Sequence, residues 1–598
     1  MVDRTHNPSR RRFLGGLAVL GAAPLAGRLE ALPQVHHNRW SGDHFDEGHD
    51  RLRNPRAWWE QLAAQGRTQN VEGLFDVIII GGGISGLTVA YRLARRNPHL
   101  RLLLLEREKE TGGVSKSENW NGIEYSIGAA YMVNPEPPED DDPEHPSQER
   151  LNLDLLIELG LREEEEELEA CNDKQRRWAT HHNHVVFTRQ RVLNDEEVLT
   201  AENVRFFETV AESDRFPSIP PEDPWLVQKL DTISFQEFLR NSDLQRELYG
   251  LAVGEIPPAG WESIEYYFWG AFGTNTWETS AYHGLNFYAA EFTRLLVFPG
   301  GNAFIAKRLT ERIRSIDERL ISTGSYVLLA EPAAGEQGQR YWQVKVERRQ
   351  GGSRGYLYRT RAVVFASPIF LAKRMLPSLP LEQMQALEQL DYRSFVVANV
   401  LLTPPMREIF GESTILHSYE MQRAQGTDPR HHPPDVLSQR NVFSDVVNAT
   451  FAVCSERQPH TILTVYRPYP YAAGRELLRY LTYEYVEAEI RKAVLEAYGA
   501  HGLKPEHIHE IRLARWGHPM IIPRPGQLAG GLMELCRRGQ PGLFFSHTDI
   551  FGAPAIENAL AAAHAAVRDV ETYLGRSEAA RRDAVSLSRT CPTGQSST

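Results

Sequence analysis

Phe75-Asp76-Val77-Ile78-Ile79-Ile80-Gly81-Gly82-Gly83-Ile84-Ser85-Gly86 joins a short β-branched run to a cluster of glycines. The run predicts a strand buried on both faces of a parallel sheet. Leu87, Ala90, Tyr91, Leu93 and Ala94 then recur at helical spacing, and Leu102 to Leu105 reads as a second buried strand ending at Glu106. Strand, glycine turn, helix, strand and acid stand in the order of a dinucleotide-binding unit. Gly81 permits the tight turn, Gly83 lets a pyrophosphate approach the main chain, and Gly86 lets helix and strand pack closely. The helix start at Ile84 and Ser85 offers unpaired N–H groups to phosphates, and Glu106, twenty residues after Gly86, can accept from a ribose.

Outward from this unit, the 598 residues correspond to about four domain units at roughly 150 residues each. With 41% apolar and 24% charged residues, the composition is that of a folded globular protein and excludes collagen, coiled coil and wholesale disorder. Subtracting 78 acidic from 66 basic residues leaves a net charge of −12, and no basic stripe with interleaved aromatics appears, so no nucleic-acid partner is expected. Cys171, Cys454, Cys536 and Cys591 lie far apart without Cys-x-x-Cys spacing, which argues against a zinc site and a disulfide scaffold. Ser9-Arg10-Arg11-Arg12-Phe13-Leu14 opens an apolar stretch to Gly27, shorter than the about 20 residues that span a bilayer. Residues 1–32 read as a twin-arginine signal. Resemblance to substrates of the twin-arginine export machinery implies a cofactor enzyme, folded before export and placed in the periplasm or secreted.

Beyond Glu106 come Gly112-Gly113 and then Gly122-Ile123-Glu124-Tyr125-Ser126-Ile127-Gly128-Ala129. Here the chain resembles the flavin amine oxidase superfamily, in which an acid is followed by a glycine doublet and then by a segment ending in aspartate or serine, a residue, and glycine. Val114 departs from that pattern, standing where a basic residue is usual, with Lys116 nearby. The resemblance implies FAD as cofactor and an α/β fold: a Rossmann-like FAD-binding domain of the amine oxidase type interleaved with an α+β substrate-binding domain. On that basis residues 71–135, 291–369 and 506–575 form the FAD-binding domain, residues 136–290 and 370–505 the substrate domain, and residues 576–598 a disordered tail.

Phe298-Pro299-Gly300-Gly301-Asn302 leads into a helix with Ile305, Leu309 and Ile313 on one side and Asn302 placed to cap it. Strand-like runs at Tyr326 to Ala330, Tyr341 to Arg348 and Tyr356 to Phe365 predict a meander. Neither of the glycine turns separating them opens a helix, so no second dinucleotide site is expected. That favours a bound FAD that takes electrons from a substrate and passes them to oxygen or another acceptor. Near the C-terminus, Leu543 to Ser546 reads as a buried strand, followed by His547-Thr548-Asp549 and a helix with Ile556, Leu560, Ala563, Val567 and Val570 on one face. By the resemblance Asp549 reaches the ribityl or phosphate region, and the helix start at Ala555 and Ile556 presents N–H groups to the flavin pyrimidine oxygen, where a helix N-terminus stabilises negative charge. His547 and the stretches Phe298 to Ala306 and Arg515 to Pro519 resemble spermidine dehydrogenase-like proteins.

For the substrate side, Phe395 to Leu402 and Thr461 to Val465 are β-rich enough to form a sheet over the flavin. The aromatic run from Tyr266 to Tyr288 either lines an amine pocket or packs an ordinary core. Lys373 lies near the place where the resemblance puts a lysine that holds a water at flavin N5, or is a solvated surface lysine, and His518, near Trp516, either contacts flavin or substrate or is a structural hydrogen-bonding residue; these two are the candidate catalytic residues. His181-His182-Asn183-His184 lacks further ligands at a metal spacing, so no metal is expected, and the acidic runs Glu139 to Asp142 and Glu163 to Glu167 either attract polyamines or are solvated loops and helix faces. The expected reaction is oxidation of a C–N bond in a small amine or amino acid by hydride transfer to flavin N5. The alternatives are desaturation or isomerisation of an apolar substrate on the same scaffold, or an FAD-binding protein without turnover.

Overall fold

The computed structural model describes residues 40–41, 45–162, 177–180, 184–187, 191–335, 339–349, 352–410, 417–420, 443–450, 458–469 and 474–589. Residues 1–32, expected as a signal, His181 to Asn183 and the acidic run 163–167 lie outside the described residues.

The chain opens with β1 (Phe75–Ile80), α1 (Ile84–Arg96) and β2 (Leu102–Leu105). A hairpin of β3 (Ser117–Trp120) and β4 (Ile123–Ser126) and the short strand β5 (Tyr131–Val133) follow. A helical segment includes α2 (Pro258–Phe272) and α3 (Ala281–Ala290), and α4 (Ala303–Ile316) leads into the meander β6 (Ser325–Ala334), β7 (Arg340–Arg348) and β8 (Arg354–Phe365). Then come β9 (Tyr392–Leu402), β10 (Asp445–Asn448), β11 (Thr461–Tyr469) and β12 (Ile508–Ile521), before β13 (Leu543–Phe545) and α5 (Ile556–Arg589).

β8 serves two functions. Its first half pairs antiparallel with β7, and its last residues lie parallel between β1 and β13. The second half is buried throughout, which suits a strand covered on both faces. β2 joins the far side of β1 in parallel, so the two ends of the chain meet in one sheet around β8. Against one face pack α1, α4 and α5, with Leu87, Ile305, Leu309, Ile313, Leu560 and Val567 in a common core. The helical faces read from the sequence are those buried, except that Ile556 at the start of α5 is half-buried. α5 continues to Arg589, so a helix occupies the first part of the stretch expected as a disordered tail.

The second sheet has β9 at its heart, between β11 and β12, and extends through β10 to short strands at 417–420 and 184–187. Alternation along β9 divides its two faces. Val396, Ala398, Val400 and Leu402 meet the helix Tyr483–Tyr498, while Phe395, Val397 and Leu401 pack with Ile123, Tyr125 and Ile127 of the nucleotide domain. The return to the nucleotide domain expected at residue 506 therefore falls later: β12 belongs to the second sheet because its pairing with β9 is non-local and leaves no local signature.

Candidate active site

Gly81 has φ +114°, and a Cβ there would lie 2.5 Å from Ala366 O, so glycine makes the turn. A Cβ on Gly86 would collide with Gly81 O, which confirms its packing role. At Gly83 a Cβ would meet only Gly113 Cα, at 3.9 Å, so this position faces open space where a phosphate fits. α1 starts there without a side-chain cap, leaving the first-turn N–H groups around Ile84 and Ser85 directed at that space. Glu106 accepts from Gly82 N (2.6 Å) and Glu108 N (2.8 Å), which fixes the carboxylate at the end of β2. The second glycine pair closes on the first: Gly112 N donates to Gly82 O (2.7 Å), and Gly112 bridges to Gly83. These residues fit a dinucleotide, because the space beside Gly83 and the uncapped helix start would be filled by its phosphates.

The C-terminal strand delivers its own contacts here. Ser85 Oγ and Ser546 Oγ lie 2.6 Å apart. Asp549 turns into the protein, accepting from Tyr392 OH (2.8 Å) and Ile369 N (3.2 Å). Burial, then the neighbouring Asp549 carboxylate, hold the Tyr392 phenol well above its ordinary pKa. The turn before α5 is tied by Thr548 Oγ1, which donates to Ala553 O and Ala555 O, and by a 2.8 Å contact between His283 Nε2 and Phe551 O. Ala555 and Ile556 are thereby set at the wall of a cavity.

That cavity, of about 280 Å³, lies at the seam between the nucleotide domain and the second sheet. Phe395, Tyr466, Trp516 and Met520 of the second sheet line it together with residues 128–135 and Pro554 to Asn558. Three side chains clamp the intervening loop: Asn399 Nδ2 donates to Ser126 O (2.9 Å), Trp516 Nε1 to Ile127 O (2.7 Å) and Tyr466 OH to Gly128 O (2.9 Å). Glu149, Glu291, Asp445 and Glu557 also line the cavity, and among the described residues the lining holds no Lys, Arg or His. Glu291 Oε1 accepts from Tyr267 OH (3.0 Å) and Tyr131 OH (3.3 Å). Glu557 Oε1 accepts from Val133 N (2.7 Å), and burial raises its pKa above the ordinary carboxylate value. A Cβ on Gly270 would come within 2.7 Å of Asp445 Oδ1, so glycine lets that carboxylate rest on α2.

Lys373 is placed elsewhere. It lies on the short helix Ala372–Met375 and does not line the cavity; burial lowers its pKa, Glu388 opposes the shift, and Arg374 and Arg475 add to it. His518 sits behind the cavity wall, stacked on Phe370 with ring centroids 4.8 Å apart. The β9–β12 ladder shifts register between Phe395–Trp516 and Arg393–Met520, which takes residues 517–519 out of strict alternation. Burial, then Arg475 and His49, push the His518 pKa down to about 3, so the ring is neutral near pH 7. The aromatic run divides: Tyr267 and Phe287 line the cavity, Phe268, Phe272 and Tyr282 fill the core, and Trp277 is exposed.

Asn302 is a correction to the expected cap. Its side chain makes no capping bond to α4; Nδ2 donates instead to Tyr131 O (2.8 Å). The residues missed from the sequence are Glu291, Asp445, Tyr466 and Glu557. Glu557 alone carried a local signal, an acid in the first turn of a helix whose start was already marked.

A nucleotide-binding domain interleaved with an antiparallel-sheet domain across a cavity at their seam defines the flavin amine oxidase-like fold. Residues 79–141 match the family described as NAD(P)-binding Rossmann-like domain. Over 542 residues the chain is 22% identical to oxidoreductase PigB of Serratia sp., covering 84% of this chain and 75% of that one. Putrescine oxidase bound to putrescine superposes with a TM-score of 0.55 at 16% identity, over 84% of this chain and 100% of the other. Cyclohexylamine oxidase from Brevibacterium oxydans does so with 0.55 at 14% identity, again over 84% and 100%.

Proposed function

We propose that the protein is an FAD-dependent oxidoreductase that oxidises the C–N bond of a small amine. The observation that carries this is the cavity at the seam of the two domains, walled by aromatic rings and carboxylates and holding no basic residue among the described ones. An acidic lining raises the local concentration of cations and disfavours anions. An amino acid would bring its carboxylate into that lining unpaired, so an amine without one is the better fit.

FAD would be held by Gly81, Gly83, Ile84, Ser85, Gly86, Glu106, Gly112 and Gly113 at its phosphates and ribose, with the helix start at Ala555 and Ile556 facing the pyrimidine. Bound there, it supplies a hydride acceptor for the C–H beside the substrate nitrogen. The chain contributes position: Trp516, Tyr466 and Phe395 line the cavity with aromatic rings, and the hydrogen bonds to residues 126–128 fix the second sheet against the loop that follows β4. Oxygen or another acceptor would then reoxidise the cofactor.

The likeness to amine-oxidising folds and to an oxidoreductase supports this reading. Its test is anaerobic addition of primary amines, diamines and amino acids to the purified protein. Bleaching of the flavin by an amine supports it; a flavin that stays oxidised with every amine while an apolar alkene precursor gains a double bond overturns it. The reading includes export by the twin-arginine machinery to the periplasm or beyond, supported by the run Ser9-Arg10-Arg11-Arg12-Phe13-Leu14 ahead of the apolar stretch. Cell fractionation of the Arg10→Lys/Arg11→Lys variant tests it: retention in the cytoplasm is expected, and unchanged distribution overturns it.

A further inference from the structure

Hydride leaves a carbon beside nitrogen when the nitrogen lone pair is free to take up the developing charge, whereas an alkyl amine near neutral pH is an ammonium, like a lysine side chain. A bound ammonium must therefore lose a proton inside the cavity. Asn302, just before α4, and Glu557, in the first turn of α5, meet on strand β5: the Asn302 amide donates to Tyr131 O, and Glu557 Oε1 accepts from Val133 N. Main-chain groups two residues apart on a strand point to the same side, so these side chains are neighbours along one edge. Asn302 is only 1% exposed and lines the cavity, and its Oδ1 has no hydrogen-bond partner among the described residues. Donation to the Tyr131 carbonyl identifies which terminal atom is nitrogen, so the open atom is an acceptor. A buried acceptor left open is costly and fits a ligand that brings an N–H.

We infer that Glu557 accepts the proton of the bound ammonium while Asn302 Oδ1 holds another of its N–H groups; this rests on the amine-oxidation reading above. In the step, one N–H bond breaks and one O–H bond forms on the Glu557 carboxylate, leaving a neutral amine and a carboxylic acid with no electron transferred. After product leaves, the acid returns its proton to water. Glu557 can hold that proton because burial favours its neutral form, an effect opposed by hydrogen bonds from its own N–H and from Val133 N–H. The other titratable groups facing the cavity are Glu149 from the helix Gln148–Glu158, Glu291 beyond α3, Asp445 from β10, and the phenols of Tyr131, Tyr267 and Tyr466. None of them is a cation that would hold Glu557 ionised.

The test is the pH dependence of flavin reduction at saturating amine, measured anaerobically by rapid mixing in the FAD-loaded full chain. In the wild type the acidic limb should stay in place when a β-fluorinated amine of lower basicity replaces the parent amine, because the limb belongs to Glu557. In Glu557→Gln the rate near neutral pH should fall by about a hundredfold. It should then recover by roughly tenfold per pH unit toward the amine's own pKa, because only the neutral fraction reacts. Outside activity, tert-butylamine, which has no C–H beside nitrogen, should raise the infrared carbonyl band of a protonated carboxyl in the wild type and not in Glu557→Gln. An acidic limb that follows the amine's basicity in the wild type overturns the proposal while leaving amine oxidation standing. Failure of every amine to reduce the flavin at any pH overturns both.

Discussion

Ser85 Oγ lies 2.6 Å from Ser546 Oγ across 461 positions of chain, and both residues are buried. The bond joins the first turn of α1 to the end of β13, so the helix start that faces the phosphate cradle is tied to the segment that supplies the cavity wall at Ala555 and Ile556. Removing one hydroxyl leaves the other buried without its partner, at a cost of about 1–3 kcal/mol, whereas removing both avoids that penalty. Ser85→Ala and Ser546→Ala should each lower stability in denaturant unfolding by this amount. The double variant should lose less than their sum, a coupling of about 1 kcal/mol; strict additivity would show that the bond is absent in solution.

Gly83→Val should separate folding from cofactor retention. The added side chain enters open space at a residue with φ −73°, so the main chain tolerates it, yet it occupies the phosphate cradle. The variant should purify with a thermal midpoint close to that of the wild-type apoprotein and without flavin absorbance. A normally coloured variant would contradict the cradle.

Glu291→Gln should weaken binding of cationic amines. The carboxylate is 5% exposed and held by two phenols, so the amide keeps its shape and removes its charge. KM should rise by about tenfold, in line with a charge-assisted hydrogen bond, while the limiting rate changes little. A fall in the limiting rate with KM unchanged would assign Glu291 to the chemistry instead.

Acid should destabilise the fold through His564. Burial, then Arg92, Arg568 and Arg96, lower its pKa from 6.5 to about 3, so the folded protein binds fewer protons there than the unfolded chain. The stability from this group is complete above about pH 6.5 and is lost as pH falls toward 3, by roughly 1.4 kcal/mol per pH unit at most. Urea unfolding of His564→Met should show a shallower loss between about pH 6 and pH 4 than the wild type. Parallel slopes would contradict the assignment.

Lys373→Met should leave the rate of flavin reduction by a good amine within about twofold, because the half-buried residue lies outside the cavity lining. A fall of several orders of magnitude would restore it to the chemistry.

The nucleotide half was legible because each part has a local signature: β-branched runs for β1 and β2, glycines whose conformations the turn demands, and apolar faces at helical spacing on α4 and α5. The cavity was not. Glu291 and Asp445 meet α2 only through tertiary packing, Tyr466 looks like any strand tyrosine, and the move of β12 into the second sheet depends on its pairing with β9. Asn302 shows how one residue type serves two purposes. Ahead of a helix an asparagine reads as a cap, but here its amide reaches β5 and leaves an acceptor at the cavity.

The central claim is that the two ends of the chain enclose one FAD. The visible spectrum of the purified full-length protein, with chromatography of the ligand released on denaturation, tests it most directly. One FAD per chain, with flavin absorbance lost on unfolding, is the predicted result; a colourless protein that fails to take up added FAD, or that releases only a nicotinamide dinucleotide, would contradict it.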